Sequence, residues 1–292
     1  MARPYEILDV FTAKRLEGNP LAVVYEADDL GTEAMQAIAK EFNLSETVFI
    51  RQSTDPAMTA ALRIFTPVTE LPFAGHPTVG AAVSLAQRRG VEGEATVSLS
   101  LPAGPVTCTI TPKNGTLNAA FDAPSIPTVD PAPLDGEAVA KALGLSPSDL
   151  GFDAYVPARA TSGPHFSVVP LRAPSVLSDV SLDQSGWLSA FPRPHDSAYL
   201  IAPDGDGVFR ARMFAPFGGM AEDPATGSAA VAFAALFARA NPDGDHPLTV
   251  HQGVEMGRPS LISVTVRVES HKPTQVRLSG DAVRVASGTL EV

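Results

Sequence analysis

Cysteine is nearly absent from this 292-residue chain. Cys108 stands alone, which excludes an internal disulfide and any cysteine-based metal cluster. Its place in the alternating run Val106-Thr107-Cys108-Thr109-Ile110 reads as a packed or surface thiol rather than a nucleophile. Long apolar runs are missing too. The longest, Ala229 to Ala238, is half of the roughly 20 residues that a membrane helix needs. The opening Ala2-Arg3-Pro4-Tyr5-Glu6 lacks the apolar core of a signal peptide, so a soluble, cytoplasmic protein is expected. Positive charge is scarce: 21 Lys and Arg face 32 Asp and Glu, the net charge is −11, and no basic run exceeds Arg88-Arg89. Nucleic acid and anionic membrane are therefore poor partners. Neither a phosphate-binding loop of the G-x-x-x-x-G-K-[ST] kind nor a G-x-S-x-G elbow is present. His165, His195, His246, His251 and His271 lack the i, i+4 spacing of a helical zinc site, and no metal is expected.

What is present is a design written twice. Glu70-Leu71-Pro72-Phe73-Ala74-Gly75-His76-Pro77 and Glu222-Asp223-Pro224-Ala225-Thr226-Gly227-Ser228-Ala229 each precede an alanine-rich helical stretch. Upstream stand Arg63-Ile64-Phe65-Thr66-Pro67 and Arg212-Met213-Phe214-Ala215-Pro216. The phenylalanines lie 149 residues apart and the glycines 152 apart. A period of half the chain length points to a duplicated domain rather than a solenoid, whose periods are about 20–50 residues. A hydrophobic content of 45% with 18% charged residues suits two buried cores.

Short strands and few helices fill the rest. Tyr5 to Phe11, Leu21 to Val24 and Leu44 to Ile50 read as strand segments, with a helix through Met35, Ile38, Ala39 and Phe42 between them, Thr32 as its cap and Asn43 as its stop. Pro77 to Arg89 and Ala229 to Ala240 are apolar or small on nearly every side, so each belongs inside a sheet rather than on a surface. Further strands are expected at Ala95 to Leu101, Val106 to Ile110, Phe166 to Pro170, Ala198 to Ile201, Ser260 to Val268 and Gln275 to Leu278. The proline-rich stretch Phe121 to Gly136 reads as the inter-domain connection, and Phe191 to His195 as a second, exposed proline-rich piece.

The first amides of a helix lack intrahelical partners and sit at the positive end of its dipole. Gly75-His76 and Gly227-Ser228 are therefore candidate cradles for an anionic substrate, or else simple turns with Ser228 as a cap. Glu46, after Ser45 in a short break between helix and strand, is the candidate acid–base carboxylate, or else merely borders the strand. His76 has the ordinary near-neutral pKa suited to moving protons, with a structural hydrogen bond as the competing role. Asp223, before Pro224 and a helix start, is placed to cap or to bind. Carboxylate and histidine near two anion cradles suit isomerisation by proton transfer.

At these residues the chain resembles the PhzF-like family, the phenazine-biosynthesis isomerases and relatives, within the diaminopimelate epimerase superfamily. The resemblance rests on Asp9-Val10-Phe11-Thr12, Gly18 to Val23, Asn43 to Phe49, the two glycine turns with their upstream strands, and Gln252-Gly253 before Met256-Gly257-Arg258-Pro259-Ser260. It implies an α+β fold of two pseudo-symmetric domains. Each is a curved, mostly antiparallel sheet or barrel around a central helix, with the active site between them. The first domain is placed at 1–118 with about 283–292 and the second at 119–282. The resemblance also implies a homodimer without a cofactor. It makes Glu46 the proton-shuttling residue, His76 and Asp223 its catalytic companions, and Ser45, Gly75, Gly227 and Ser228 substrate-binding residues. The superfamily's two-cysteine epimerases carry one thiol at each glycine turn, and neither turn here has one. A one-carboxylate proton shift on a small cyclic or unsaturated carboxylate is thereby favoured. The alternative is a non-catalytic protein that binds a small ligand at the same residues.

Overall fold

The computed structural model describes residues 2–113, 115–218 and 220–292. The chain divides into two units, Met1–Pro124 with Leu278–Val292, and Ser125–Arg277. The first carries β1 (Ala2–Val10), β2 (Asn19–Val24), α1 (Thr32–Phe42), β3 (Glu46–Arg51), β4 (Ala60–Phe65), β5 (Glu70–Leu71), α2 (Gly75–Arg88), β6 (Ala95–Leu101), β7 (Gly104–Lys113) and β8 (Thr116–Asp122). The second carries β9 (Thr128–Pro133), α3 (Gly136–Leu143), β10 (Ala158–Thr161), β11 (His165–Pro170), α4 (Pro174–Ser178), α5 (Trp187–Ala190), β12 (Ala198–Gly205), β13 (Val208–Ala215), β14 (Met220–Asp223), α6 (Gly227–Ala240), β15 (Gly244–Gln252) and β16 (Ser260–Glu269). The last strand, β17 (Lys272–Glu291), spans the division and pairs antiparallel with β1 from Ala2↔Glu291 to Val10↔Ala282.

Strand pairing repeats the sequence duplication. In the first unit β1–β2 is antiparallel, β2–β3 parallel, β3–β4 antiparallel, β4–β6 parallel and β6–β7 antiparallel, with β5 hanging on β4. In the second the same series runs β10–β11, β11–β12, β12–β13, β13–β15 and β15–β16, with β14 hanging on β13. Parallel neighbours require crossovers, and α1 supplies one between β2 and β3, while α4 and α5 lie between β11 and β12. The α+β class read from the sequence is the one observed.

Each alanine-rich helix is wrapped by its own strands. α2 packs on β1, β2, β3, β6, β7 and β8, and every residue from Gly75 to Ala86 is buried. α6 packs on β9, β10, β11 and β16, and Ala229 to Ala238 are all buried. Small side chains allow this: a Cβ on Gly80 would lie 2.5 Å from Leu21 Cδ2 and 2.8 Å from Val10 Cγ2. The turn α2 to β6 closes with Gly90 at φ 66°, Gly90 N–H donating to Gln87 O and Val91 N–H to Ala86 O. In α1 the cap position is taken by Gly31 rather than Thr32, whose hydroxyl accepts instead from Arg63 Nη2 at 3.0 Å. Asn43 ends the helix in the left-handed region, as its sequence predicts.

The division between the units, after Pro124, falls within the proline-rich stretch Phe121 to Gly136, but that stretch is not wholly a linker, and the second proline-rich piece is exposed only at Arg193-Pro194. Within Phe121 to Gly136 lies β9, which pairs with β10, and its Pro131 and Pro133 sit on an exposed strand that tolerates missing donors. In Phe191 to His195, Phe191 is fully buried against Trp187, with ring centroids 4.5 Å apart. Burial of two large rings at that spot, each contributing about 1.5–3 kcal/mol, outweighs the surface tendency of the prolines. Cys108 is buried in β7 opposite Val97.

Candidate functional site

The two glycine turns are built alike up to the residues that carry chemistry. Arg63 holds Glu70 through two parallel bonds, Nε to Oε1 at 2.7 Å and Nη2 to Oε2 at 2.6 Å. Arg212 holds Glu222 in the same way at 2.7 and 2.9 Å. Each guanidinium also lies over the phenylalanine two residues on, Phe65 at 5.1 Å and Phe214 at 4.7 Å. The repeated Arg-x-Phe and Glu thus form a brace that fixes the short strand leading into each turn. Glu70 and Glu222 are structural partners rather than reacting groups. Neither α2 nor α6 has a side-chain cap, so Ser228 does not serve as one and the helix amides at Gly75-His76 and Gly227-Ser228 stay without that competitor.

In the first unit the structure brings Glu46 and His76 together. β2 and β3 run parallel with Leu21 opposite Glu46, which sets Glu46 at the first position of β3, directly after the buried Ser45. α2 places His76 at its second position, and His76 Nε2 stands 3.4 Å from Glu46 Oε2. Asn19, at the start of β2, lies with its Nδ2 3.4 Å from His76 Nδ1. An amide nitrogen can only donate, so with the amide placed this way Nδ1 accepts and the imidazole proton sits on Nε2, which approaches the Glu46 carboxylate at 3.4 Å without forming a hydrogen bond to it. Burial pushes the His76 pKa down to about 3, so the ring is neutral at physiological pH and the contact is imidazole to carboxylate rather than an ion pair. With 4% of the His76 side chain and 15% of the Glu46 side chain exposed, little water screens this contact.

In the second unit Asp223 is buried at the end of β14 and accepts from Thr226 Oγ1 at 2.5 Å. Gln252, fully buried at the end of β15, locks that turn from three directions. Its Nε2 donates to Asp223 O at 2.8 Å and to Thr226 Oγ1 at 3.0 Å, and its Oε1 accepts from Thr226 N–H at 3.1 Å. Gly253 follows at φ 74°, and a Cβ there would meet Arg258 O at 2.5 Å and Pro224 O at 2.6 Å. Gln252-Gly253 carried the family resemblance, but its grip on the Asp223 turn comes from residues 26 and 29 positions away and is invisible in sequence. The first unit uses a backbone bond at the corresponding place, Ala103 N–H to Pro72 O at 3.1 Å. Ser228 offers its carbonyl to Ser162 Oγ at 2.8 Å.

Register identifies which residues correspond. Phe65 faces Thr47 and Glu70; Phe214 faces Ala198 and Glu222. Ser197 therefore stands in the second unit where Glu46 stands in the first, Ser228 where His76 stands, and Asp223 where Leu71 stands. Of the remaining histidines, His165 and His195 meet each other, Nδ1 to Nε2 at 3.3 Å. Burial and the neighbouring His165 lower the His195 pKa. Among the described residues no helix is long and apolar enough to cross a membrane.

Comparison with known proteins gives the same assignment as these motifs. The model of the family described as phenazine biosynthesis-like protein matches residues 8–288. An uncharacterized isomerase of Mesorhizobium japonicum is 40% identical over 297 residues, covering 99% of this chain and 98% of that protein. The trans-2,3-dihydro-3-hydroxyanthranilate isomerase of Pseudomonas fluorescens is 38% identical over 287 residues, covering 98% of each. The crystal structure of a PhzF-family phenazine biosynthesis protein from Bacillus anthracis superposes with a TM-score of 0.88 at 27% identity and full coverage of both chains. With its two matched glycine turns and its repeated strand order, this chain belongs to the phenazine biosynthesis-like family and is an isomerase of that family.

Proposed function

We propose that this isomerase moves a proton within a small cyclic or unsaturated carboxylate, without a cofactor, and that Glu46 is the group that carries the proton. The observation that supports this most strongly is the contact between the Glu46 carboxylate and a neutral, buried His76 at the N-terminus of α2. In the reaction Glu46 Oε takes a proton from a carbon next to a conjugated system, and the electron pair left behind spreads into that system. The same carboxyl returns the proton at another carbon, so nothing is oxidised or reduced. His76, donating from Nε2, steadies the carboxylate when it is charged, and the contact of 3.4 Å is of the loose kind that tightens in a reaction complex. The amides of Gly75 and His76, at the positive end of α2, suit the substrate carboxylate or a developing enolate oxygen. Ser45 is assigned to the same substrate-binding role. For the second unit the proposal makes Asp223 a catalytic companion that meets the substrate without carrying the transferred proton, and gives Gly227 and Ser228 a substrate-binding role.

The name of the Pseudomonas fluorescens relative supplies the first substrate to try, trans-2,3-dihydro-3-hydroxyanthranilate. Turnover of it and of a panel of unsaturated cyclic carboxylates is followed by NMR with the wild-type protein and with Glu46→Gln. Isomerisation of at least one compound, lost in the variant, is the expected result. Full turnover by Glu46→Gln on a confirmed substrate would overturn the assignment.

A further inference from the structure

At the other end of α2, about 18 Å along the helix from His76 by its rise per residue, three arginines surround a cavity of about 340 Å³. Its lining is Arg15, Arg88 and Arg284 with Gln87, Gly115, Thr116, Ala282 and Val283, and among the described residues no carboxylate lines it. That is unusual for a chain with a net charge of −11.

Each arginine is held by the protein at one side of its guanidinium. Arg15 Nε donates to Arg284 O at 2.8 Å. Arg284 Nη1 donates to Glu6 Oε1 at 3.1 Å. Arg88 stacks its guanidinium over the ring of Tyr25 at 3.9 Å, which orients the plane and leaves its N–H edges available. Among the described residues Glu6 is the single carboxylate that pairs with any of the three, and it lies buried below, bonded also by Ser84 Oγ at 2.5 Å and Tyr25 OH at 2.9 Å.

The structural duties of these arginines do not use up their charge. Arg88 in the last turn of α2 complements the negative helix end, a contribution of about 0.3–1 kcal/mol. Arg284 neutralises Glu6. That leaves about two uncompensated positive charges facing one space, a repulsion that an anion would relieve. Planar guanidinium forks fixed in advance lose little freedom when they grip an oxyanion in bidentate fashion.

We infer that the Arg15, Arg88 and Arg284 cavity is a second ligand site, separate from Glu46 and His76, that takes a small polyanion presenting phosphoryl or carboxylate oxygens. Its volume, at the low end of small-molecule pockets of about 300–1,000 Å³, fits a compact polyanion rather than a nucleotide.

The test is isothermal titration of the full chain with pyrophosphate and, separately, with citrate, alongside the Arg15→Gln/Arg88→Gln double variant. Both substitutions are on exposed side chains and leave the Arg284–Glu6 pair intact, and an unchanged melting temperature shows that the variant is folded. Saturable binding of either anion at one site per chain, weakened by added salt and at least about tenfold in the variant, is expected for the loss of charge-assisted bonds. Pyrophosphate alone would identify a phosphoryl ligand, and citrate alone a polycarboxylate. No saturation by either anion, or binding in the double variant equal to wild type, would overturn the inference.

Discussion

The two halves of this chain share a brace and differ at the point of use. Both hold a short strand with an arginine–glutamate pair under a phenylalanine, and both release a buried helix from a glycine turn. Beyond the turn the first half presents His76 next to Glu46, whereas the second presents Ser228, with Ser197 where the carboxylate would be. The second half adds Asp223, tied into a lock by Thr226 and Gln252, where the first has Leu71. Duplication conserved what positions a turn, and divergence changed what the turn offers. A pair of matching turns in a symmetric design would suit two equivalent groups acting on a carbon, while the asymmetry seen here suits one proton carrier.

The largest expected effect concerns that asymmetry. Removing the charge with Glu46→Gln is expected to lower kcat by about 10²–10⁴-fold while leaving the substrate KM within severalfold, in steady-state assays on a confirmed substrate. Next comes the lock that the first half lacks. Gln252→Ala strips three buried bonds from the Asp223 turn and is expected to cost about 2–4 kcal/mol in urea unfolding. Gly253→Ala, forced to a positive φ against two carbonyl oxygens, is expected to cost about 1–3 kcal/mol. An unchanged midpoint for Gln252→Ala would show that the lock is decorative.

The shared brace gives a smaller and graded effect. Arg212 is less exposed than Arg63, 13% against 20%, and its further bond, to Leu177 O at 2.7 Å, is shorter and less exposed than that of Arg63 to Thr32 Oγ1 at 3.0 Å. Arg212→Ala is therefore expected to destabilise more than Arg63→Ala, with both in the range of about 1–3 kcal/mol. The reverse order would break the equivalence drawn between the halves.

The last effect is in pH dependence. Burial holds His76 at about 3 in the folded chain, below the ordinary value near 6.5. Between those values the unfolded chain binds a proton there that the folded chain does not. The contribution of His76 to stability is thus fully present above about pH 6.5 and is lost as pH falls towards 3. His76→Gln is expected to flatten that part of the stability profile, measured by thermal melts from pH 7 to 4.

Much of this was legible in the sequence because it is local. The helices announced themselves through small residues on every side, and the duplication through Arg63 and Arg212, Phe65 and Phe214, Gly75 and Gly227. Glu46 and His76 were each singled out from local sequence, but their approach was not legible, since 30 residues and three strand pairings separate them; only the resemblance linked the two. Gln252 escaped for the same reason, its work being done on a turn brought close by β13–β15 pairing. β9 escaped because Pro131 and Pro133 read as a linker, although one exposed strand edge accommodates them.

The account rests on a single proton carrier in the first half, and deuterium tests it most directly. Substrate is incubated in D2O with wild type, Glu46→Gln and Ser228→Ala, and label entering the substrate and product carbons is followed by NMR. The account predicts label incorporation with wild type, retention of exchange with a raised KM in Ser228→Ala, and no exchange above background in Glu46→Gln. Exchange that persists in Glu46→Gln and disappears in Ser228→Ala would contradict it and move the chemistry to the second half.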